Sequence, residues 1–230
     1  MNFLDLFAGI GGFRLGMERN AELRREKIMI YKHEEARQYR EINFLDQFLE
    51  GHDGFIAGGC FKNIFNHEKV KDIDMFFRNE KDLNDAIHYY TEKCASDANH
   101  IKLVYKTGKV VAFIHIPSKT QLELVRSVFG EPEEVISNFD FTVTKVARYV
   151  VDGEHRIVIH PQFFEHLHLK RLVVDNTLNF PISTFERMIR YVGYGYKPCL
   201  ETKAKLVDAI NSIQNIDEND FSKSLYEGLD

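Results

Sequence analysis

With 230 residues, 44% of them hydrophobic and 28% charged, the chain has the length of one large domain or two small ones and an ordinary globular composition. Its net charge of -5 excludes a protein coated in basic surface for bulk nucleic-acid binding, although a local basic groove is compatible with it. Cys60, Cys94 and Cys199 are widely spaced and form no disulfide framework or metal-ligand pattern. There is no apolar run of about eighteen residues and no basic-then-apolar leader, so the expectation is a cytoplasmic protein with reduced thiols and no membrane partner.

The first residues alternate a short apolar run with a glycine turn, Gly9-Ile10-Gly11-Gly12. Residues 13–50 are rich in Glu, Arg, Lys and Gln and predict mainly helix, interrupted near Ile28-Met29-Ile30; Leu45, Phe48 and Leu49 give helical spacing up to a stop at Gly51. A strand is predicted over 54–57, a short helix over 60–65, a second strand over 72–77 and an amphipathic helix over 81–94. Residues 101–105 and 110–116 predict a hairpin around Lys106-Thr107-Gly108-Lys109. Residues 120–129 carry helical spacing up to Gly130. Residues 135–141 bring Asp140 to a strand end or to the start of a helix running on to Ala147. Strands at 149–151 and 156–159 flank Asp152-Gly153, a strong turn dipeptide. Helices are then expected over 163–173, 184–192 and 202–213, with an acidic tail after Asn215. The fold class expected is mixed α/β, a mixed sheet with flanking helices followed by a small helical region.

The chemistry concentrates in Gly58-Gly59-Cys60 and Lys71-Asp72-Ile73-Asp74-Met75. On a strand, Asp72 and Asp74 point to one face and Ile73 turns to the core. Such a pair can hold one or two Mg²⁺ ions, which prefer oxygen ligands and bind through carboxylates plus substrate phosphates. A Gly-Gly turn before it lets backbone approach a triphosphate with no Cβ in the way. A lone D-x-D is usually a solvated strand end; the glycines and the flanking apolar strands give this one its meaning. Lys62, Lys71, Lys145 and Arg148 recur around the two motifs, and Lys170, Arg171, Arg187 and Arg190 follow in the helical part. Each alone reads as a solvated charge, and their recurrence points to a triphosphate contact for one or two. His166-Leu167-His168 is no metal pair on a helix, where residues two apart do not face each other, and reads as ordinary surface. Phe164, Tyr191, Tyr194 and Tyr196 are either core or a stacking platform for a base. Cys60 reads as a small buried filler.

The strand, Gly58-Gly59, short helix and Asp72-Ile73-Asp74 together resemble the nucleotidyltransferases of the DNA polymerase beta superfamily, in particular the tRNA-nucleotidyltransferase and poly(A)-polymerase branch. Asn138-Phe139-Asp140-Phe141-Thr142-Val143 is similar to the Asp-Phe-Thr motif of that branch, and the likeness covers roughly residues 53–195. It implies transfer of a nucleoside monophosphate from a nucleoside triphosphate to an acceptor hydroxyl (an RNA 3′ end, a small molecule or a protein) with two Mg²⁺ ions. Asp72 and Asp74 would be metal ligands, and Asp140 a third ligand or a ribose contact. Gly58, Gly59, Lys62 and Lys145 would bind the nucleotide. The implied division is an N-terminal segment 1–50, a catalytic domain 51–161 and a helical region 162–230. Cys60 and Lys62 stand where that branch often carries Val and Arg, so its tRNA specificity is not implied.

Residues 3–16, Phe3-Leu4-Asp5-Leu6-Phe7-Ala8-Gly9-Ile10-Gly11-Gly12-Phe13-Arg14-Leu15-Gly16, resemble the opening motif of DNA cytosine-5 methyltransferases, which holds S-adenosylmethionine. The catalytic Pro-Cys-Gln segment does not follow: Pro198-Cys199-Leu200 lies too late and lacks the Gln. Without the thiol nucleophile the covalent step has no agent. Residues 1–19 therefore read as a methyltransferase fragment joined to a nucleotidyltransferase. The rival readings are an S-adenosylmethionine-binding protein and a nucleotide-binding module without turnover.

Overall fold

The computed structural model describes residues 31–176 and 178–213, Arg37 by its backbone alone. Its centre is an eight-stranded mixed sheet in the order β1-β8-β7-β2-β3-β6-β5-β4. The strands are β1 (Lys32–Glu35), β2 (Phe55–Ala57), β3 (Asp72–Phe77), β4 (Ile101–Lys106), β5 (Val110–His115), β6 (Thr120–Phe129), β7 (Val146–Val151) and β8 (Glu154–Ile159). Only β3 and β6 run parallel; the other neighbours are antiparallel.

The period-two pattern of β3 divides the molecule. Ile73, Met75 and Phe77 are buried in a large core, with Val111 and Phe113 of β5 and Leu122 and Leu124 of β6. Helices α1 (Gly59–Phe65), α2 (Glu80–Ser96) and α4 (Phe163–His168), and a 3₁₀ segment Arg40–Phe48, bring apolar side chains to the same core. On the opposite face Phe55, Ala57, Phe76, Ala147 and Val158 form a smaller core with Val135 and Ile136 of α3 (Pro132–Ser137). Helix α2 starts where the Asn79 side chain accepts the Asp82 amide, and α3 starts with Pro132 and a capping box between Glu131 and Glu134. Asp152 and Gly153 both take positive φ, 52° and 76°, the turn whose twist matches a two-residue hairpin. A two-stranded parallel sheet, β9 (Arg171–Leu172) with β10 (Lys197–Pro198), leads into the last helices, α5 (Pro181–Gly193) and α6 (Leu200–Asn211).

Several expected elements are corrected. Residues 120–129 form a strand: Leu122 and Leu124 face the large core and Gln121 and Glu123 the other side, an alternation fixed by pairing with β3 and β5. Within 31–50, Lys32–Glu35 pairs with β8, and Arg40–Phe48 buries Ile42, Leu45 and Phe48 at the three-residue period of a 3₁₀ helix. Between α3 and β7, a loop and the 3₁₀ turn Thr142–Thr144 replace the helix expected up to Ala147. The helix from Phe163 stops at His168, because Lys170 takes a positive φ of 49° and Arg171–Leu172 pairs with β10.

Candidate functional site

Cross-strand registers place Ala57, Asp74, Glu123, Ala112 and Tyr105 in one row across β2, β3, β6, β5 and β4. Directly paired residues share a face, so Asp74 and Glu123 lie side by side between two alanines. Asp72 pairs with Gln121 one step along the same face. Asp74 is half-buried and accepts no hydrogen bond among the described residues. Burial first, then the charges of Glu123 and Asp72, push its pKa up to about 7. A carboxylate kept among carboxylates is costly for folding, and strongly raised pKa values of this kind cluster at functional sites.

Gly58 ends β2 at φ 102° and donates its N–H to the Val146 carbonyl at 3.1 Å. A Cβ there would lie 3.4 Å from Asp74 Oδ2 and 3.6 Å from the Phe139 ring. The glycine thus gives the backbone its turn and leaves the carboxylate uncovered. Gly59 opens α1, where a Cβ would lie 3.8 Å from the Tyr191 hydroxyl.

Glu123, which a helical reading of 120–129 conceals, is 6% exposed. Its Oε1 accepts from the Tyr105 hydroxyl at 2.7 Å and from Gln121 Nε2, which also donates to the Tyr105 hydroxyl at 3.1 Å. Burial and the bond to Glu123 push the Tyr105 hydroxyl up to about 12, so it stays a donor. The alternation Gln121-Leu122-Glu123-Leu124 is the sequence signal that could have found this carboxylate.

The remaining predicted residues are tied elsewhere. Asp140 pairs with Arg187 of α5, at 2.6 Å to Nε and 2.5 Å to Nη2, and caps no helix. Lys145 is buried; its Nζ donates to Asp175 Oδ1 at 2.6 Å and to the Ser137 carbonyl at 3.0 Å. His160 Nε2 stands 2.8 Å from the other oxygen of Asp175. Burial works to raise the Asp175 pKa, but His160 and Lys145 outweigh it and hold it at about 2. Asn176 Nδ2 donates to the carbonyls of Ser137 and Phe139, so this buried network holds the loop that leads into Asp140. Lys62 donates to Asn63, lies 3.4 Å from Glu68 and stands 5.2 Å from the Tyr194 ring centre; burial lowers its pKa.

Two expectations are corrected. Arg148 faces the large core beside Ile56 and Ile157 and pairs with Asp46, on the side away from Asp74. His166 is buried, its Nδ1 2.7 Å from the Thr142 hydroxyl, and is no surface residue. Tyr191 and Tyr196 are core, whereas Tyr194 and Phe164 keep exposed rings. Cys60 is buried, and burial raises its thiol pKa.

Among the described residues, no three His, Cys, Asp or Glu side chains converge as a ready-made metal cage. Asp72, Asp74 and Glu123 bring their carboxylates to one face of the sheet, and carboxylate oxygens are the ligand type Mg²⁺ prefers. No helix among those residues is long and apolar enough to cross a membrane. The methyltransferase-like residues 3–16 lie outside the described residues.

The fold is that of the CCA-adding nucleotidyltransferases. The Thermotoga maritima CCA-adding enzyme complexed with tRNA superposes with a TM-score of 0.59 at 15% identity, covering 84% of this chain and 50% of that one. A CCA-adding enzyme in complex with CTP gives 0.61 at 14% identity, covering 85% of this chain and 49% of the other. By sequence the chain belongs to the Gabija anti-defense 2 family, whose model matches residues 32–170. A relative from Bacillus phage SPbetaL7, "Gabija anti-defense 2", is 25% identical over 170 residues, 73% of this chain. The chain spans 40% of the length of that relative.

Proposed function

We propose that this chain is a metal-dependent nucleotidyltransferase that moves a nucleoside monophosphate from a nucleoside triphosphate to an acceptor hydroxyl. The observation that carries the reading is Asp74: half-buried, without a hydrogen-bond donor among the described residues, beside Glu123 and Asp72, and left uncovered by Gly58 on a sheet of the CCA-adding type. Asp72 and Asp74 would hold Mg²⁺, with Glu123 as the further oxygen donor. Bound there, Mg²⁺ would neutralise triphosphate charge and lower the pKa of the attacking hydroxyl. Gly58 and Gly59 let the triphosphate approach the backbone. Asp140, engaged by Arg187, suits the orienting role toward the ribose better than direct ligation. Lys145 supports the loop into Asp140, and Lys62 with the Tyr194 ring offers charge and an aromatic face beyond the glycines. Complexes of the structural neighbours with tRNA and CTP make RNA 3′ ends and nucleoside triphosphates the first substrates to test. The family name makes counteracting Gabija defence the role such a reaction would serve.

The test is transfer of label from each α-³²P nucleoside triphosphate, with Mg²⁺ or Mn²⁺, to tRNA, to short RNA and to protein. Labelled acceptor from wild type and none from Asp74→Asn supports the reading. No transfer to any acceptor by the wild type, under conditions where it is folded, contradicts it.

A further inference from the structure

Strand β4 is one of the two edge strands of the sheet as described, and Lys102, Leu103 and Val104 on it are exposed. Tyr105 departs from this pattern. A register shift between Leu103 and Tyr105 seats it opposite Ala112, and its hydroxyl passes over that alanine to reach Glu123 on β6. Two strand spacings, roughly 10 Å, separate the backbones of Tyr105 and Glu123. Only a long side chain crossing a small one can span that gap, and Ala112 is the small one.

The contact forms a closed ring. Tyr105 donates to Glu123 Oε1, Gln121 donates to the same oxygen, and Gln121 also donates to the Tyr105 oxygen. Oε1 therefore has two donors, whereas Oε2 has none among the described residues. Two donors on one oxygen remove the rotational freedom of the carboxylate and leave its other oxygen as the available ligand. A purely structural contact at this spot has a simpler solution in apolar side chains, because Glu123 beside Asp74 is a like-charge pair.

We propose that Tyr105, assisted by Gln121, is a positioning residue that pins Glu123 Oε1 and presents Oε2 next to Asp74 as a metal ligand. This rests on the metal-site reading given above. Groups that hydrogen-bond a ligating carboxylate orient it, and their loss weakens metal binding while the ligands themselves stay in place.

The experiment is a Mn²⁺ titration followed by electron paramagnetic resonance on the full chain, without nucleotide. Wild type, Tyr105→Phe, Gln121→Met, Glu123→Gln and the Tyr105→Phe/Glu123→Gln double variant are compared, with melting temperatures measured alongside. The expected results are Mn²⁺ binding by wild type, an affinity loss of about 10-fold in Tyr105→Phe and a smaller loss in Gln121→Met. The double variant should bind no more weakly than Glu123→Gln alone, since the tyrosine acts through that carboxylate. Gln121→Met keeps the question answerable should the tyrosine variant fail to fold. Wild-type affinity in both Tyr105→Phe and Gln121→Met, or a tyrosine loss that adds in full to that of Glu123→Gln, overturns the positioning role alone. Absence of Mn²⁺ binding in wild type overturns both this role and the metal site.

Discussion

Asp74 and Asp175 are the same residue type, both withdrawn from water, and their carboxyls are driven in opposite directions. Asp74 is surrounded by burial, Glu123 and Asp72 and is pushed up to about 7. Asp175 is also opposed by burial, yet His160 and Lys145 hold it at about 2. Burial alone does not decide what a carboxylate is for; its partners do. Where the chain supplies cations, the acid becomes a staple that fastens the loop leading into Asp140. Where it supplies more acid and a glycine, the carboxylate is left among like charges, the arrangement on which the proposed metal site rests.

The largest expected effect breaks the comparison at its functional end. Asp74→Asn should lower nucleotide transfer by about 10³-fold or more. Its melting temperature in metal-free buffer should stay level or rise, because the variant loses an uncompensated charge. Steady-state transfer and a thermal melt on the same preparation check both halves. At the structural end, Asp175→Ala should cost about 3–5 kcal/mol, since it strands the Lys145 ammonium and His160 in the interior. For a chain of this size that is a drop in Tm of roughly 10 °C. An Asp175→Ala melt within a degree or two of wild type would refute the staple.

Gly58→Ala tests the join between the two regions. A side chain at φ 102° strains the backbone by about 1–3 kcal/mol, and its Cβ would rest in van der Waals contact against Asp74 Oδ2, covering it. Transfer should fall by more than stability does, measured as the ratio of kcat/KM loss to unfolding free energy. A proportionate loss of both would leave the glycine with a backbone role only.

The comparison also has a pH signature. Asp175 has a folded pKa below its unfolded value of 3.8, so its contribution is present above that value. About 2 kcal/mol should be lost as pH falls from about 4 to 2. Asp74 has a folded pKa above its unfolded value, so the sign reverses: stability is lost as pH rises from about 4 to 7. Urea unfolding of metal-free protein should show a neutral-pH decline that Asp74→Asn removes, and an acid decline that the asparagine variant does not touch.

The parts of the site legible in the sequence are those fixed by neighbours along the chain. Asp72-Ile73-Asp74 declares its shared face through the period of a strand, and Gly58-Gly59 declares a turn. Glu123 was hidden because Leu122, Leu124, Val125, Val128 and Phe129 satisfy helical as well as strand spacing. Pairing with β3 and β5 settles the choice, and no window of sequence contains it. The partners of Asp140 and Lys145, Arg187 and Asp175, lie 47 and 30 residues away, with no local pattern to join them. For Arg148, alternation puts it opposite Ala147, but only the register with β2 shows which of the two shares the face of Asp74.

The most direct test of the unpaired carboxylate is a carboxyl-carbon NMR titration of Asp74 and Asp175, metal-free and then with Mg²⁺ and a nonhydrolysable nucleoside triphosphate. The account predicts metal-free midpoints near 7 for Asp74 and near 2 for Asp175. Metal and nucleotide together should bring the Asp74 midpoint down while Asp175 stays where it was. An Asp74 that titrates like a solvated aspartate, or one indifferent to Mg²⁺ and nucleotide, would contradict it.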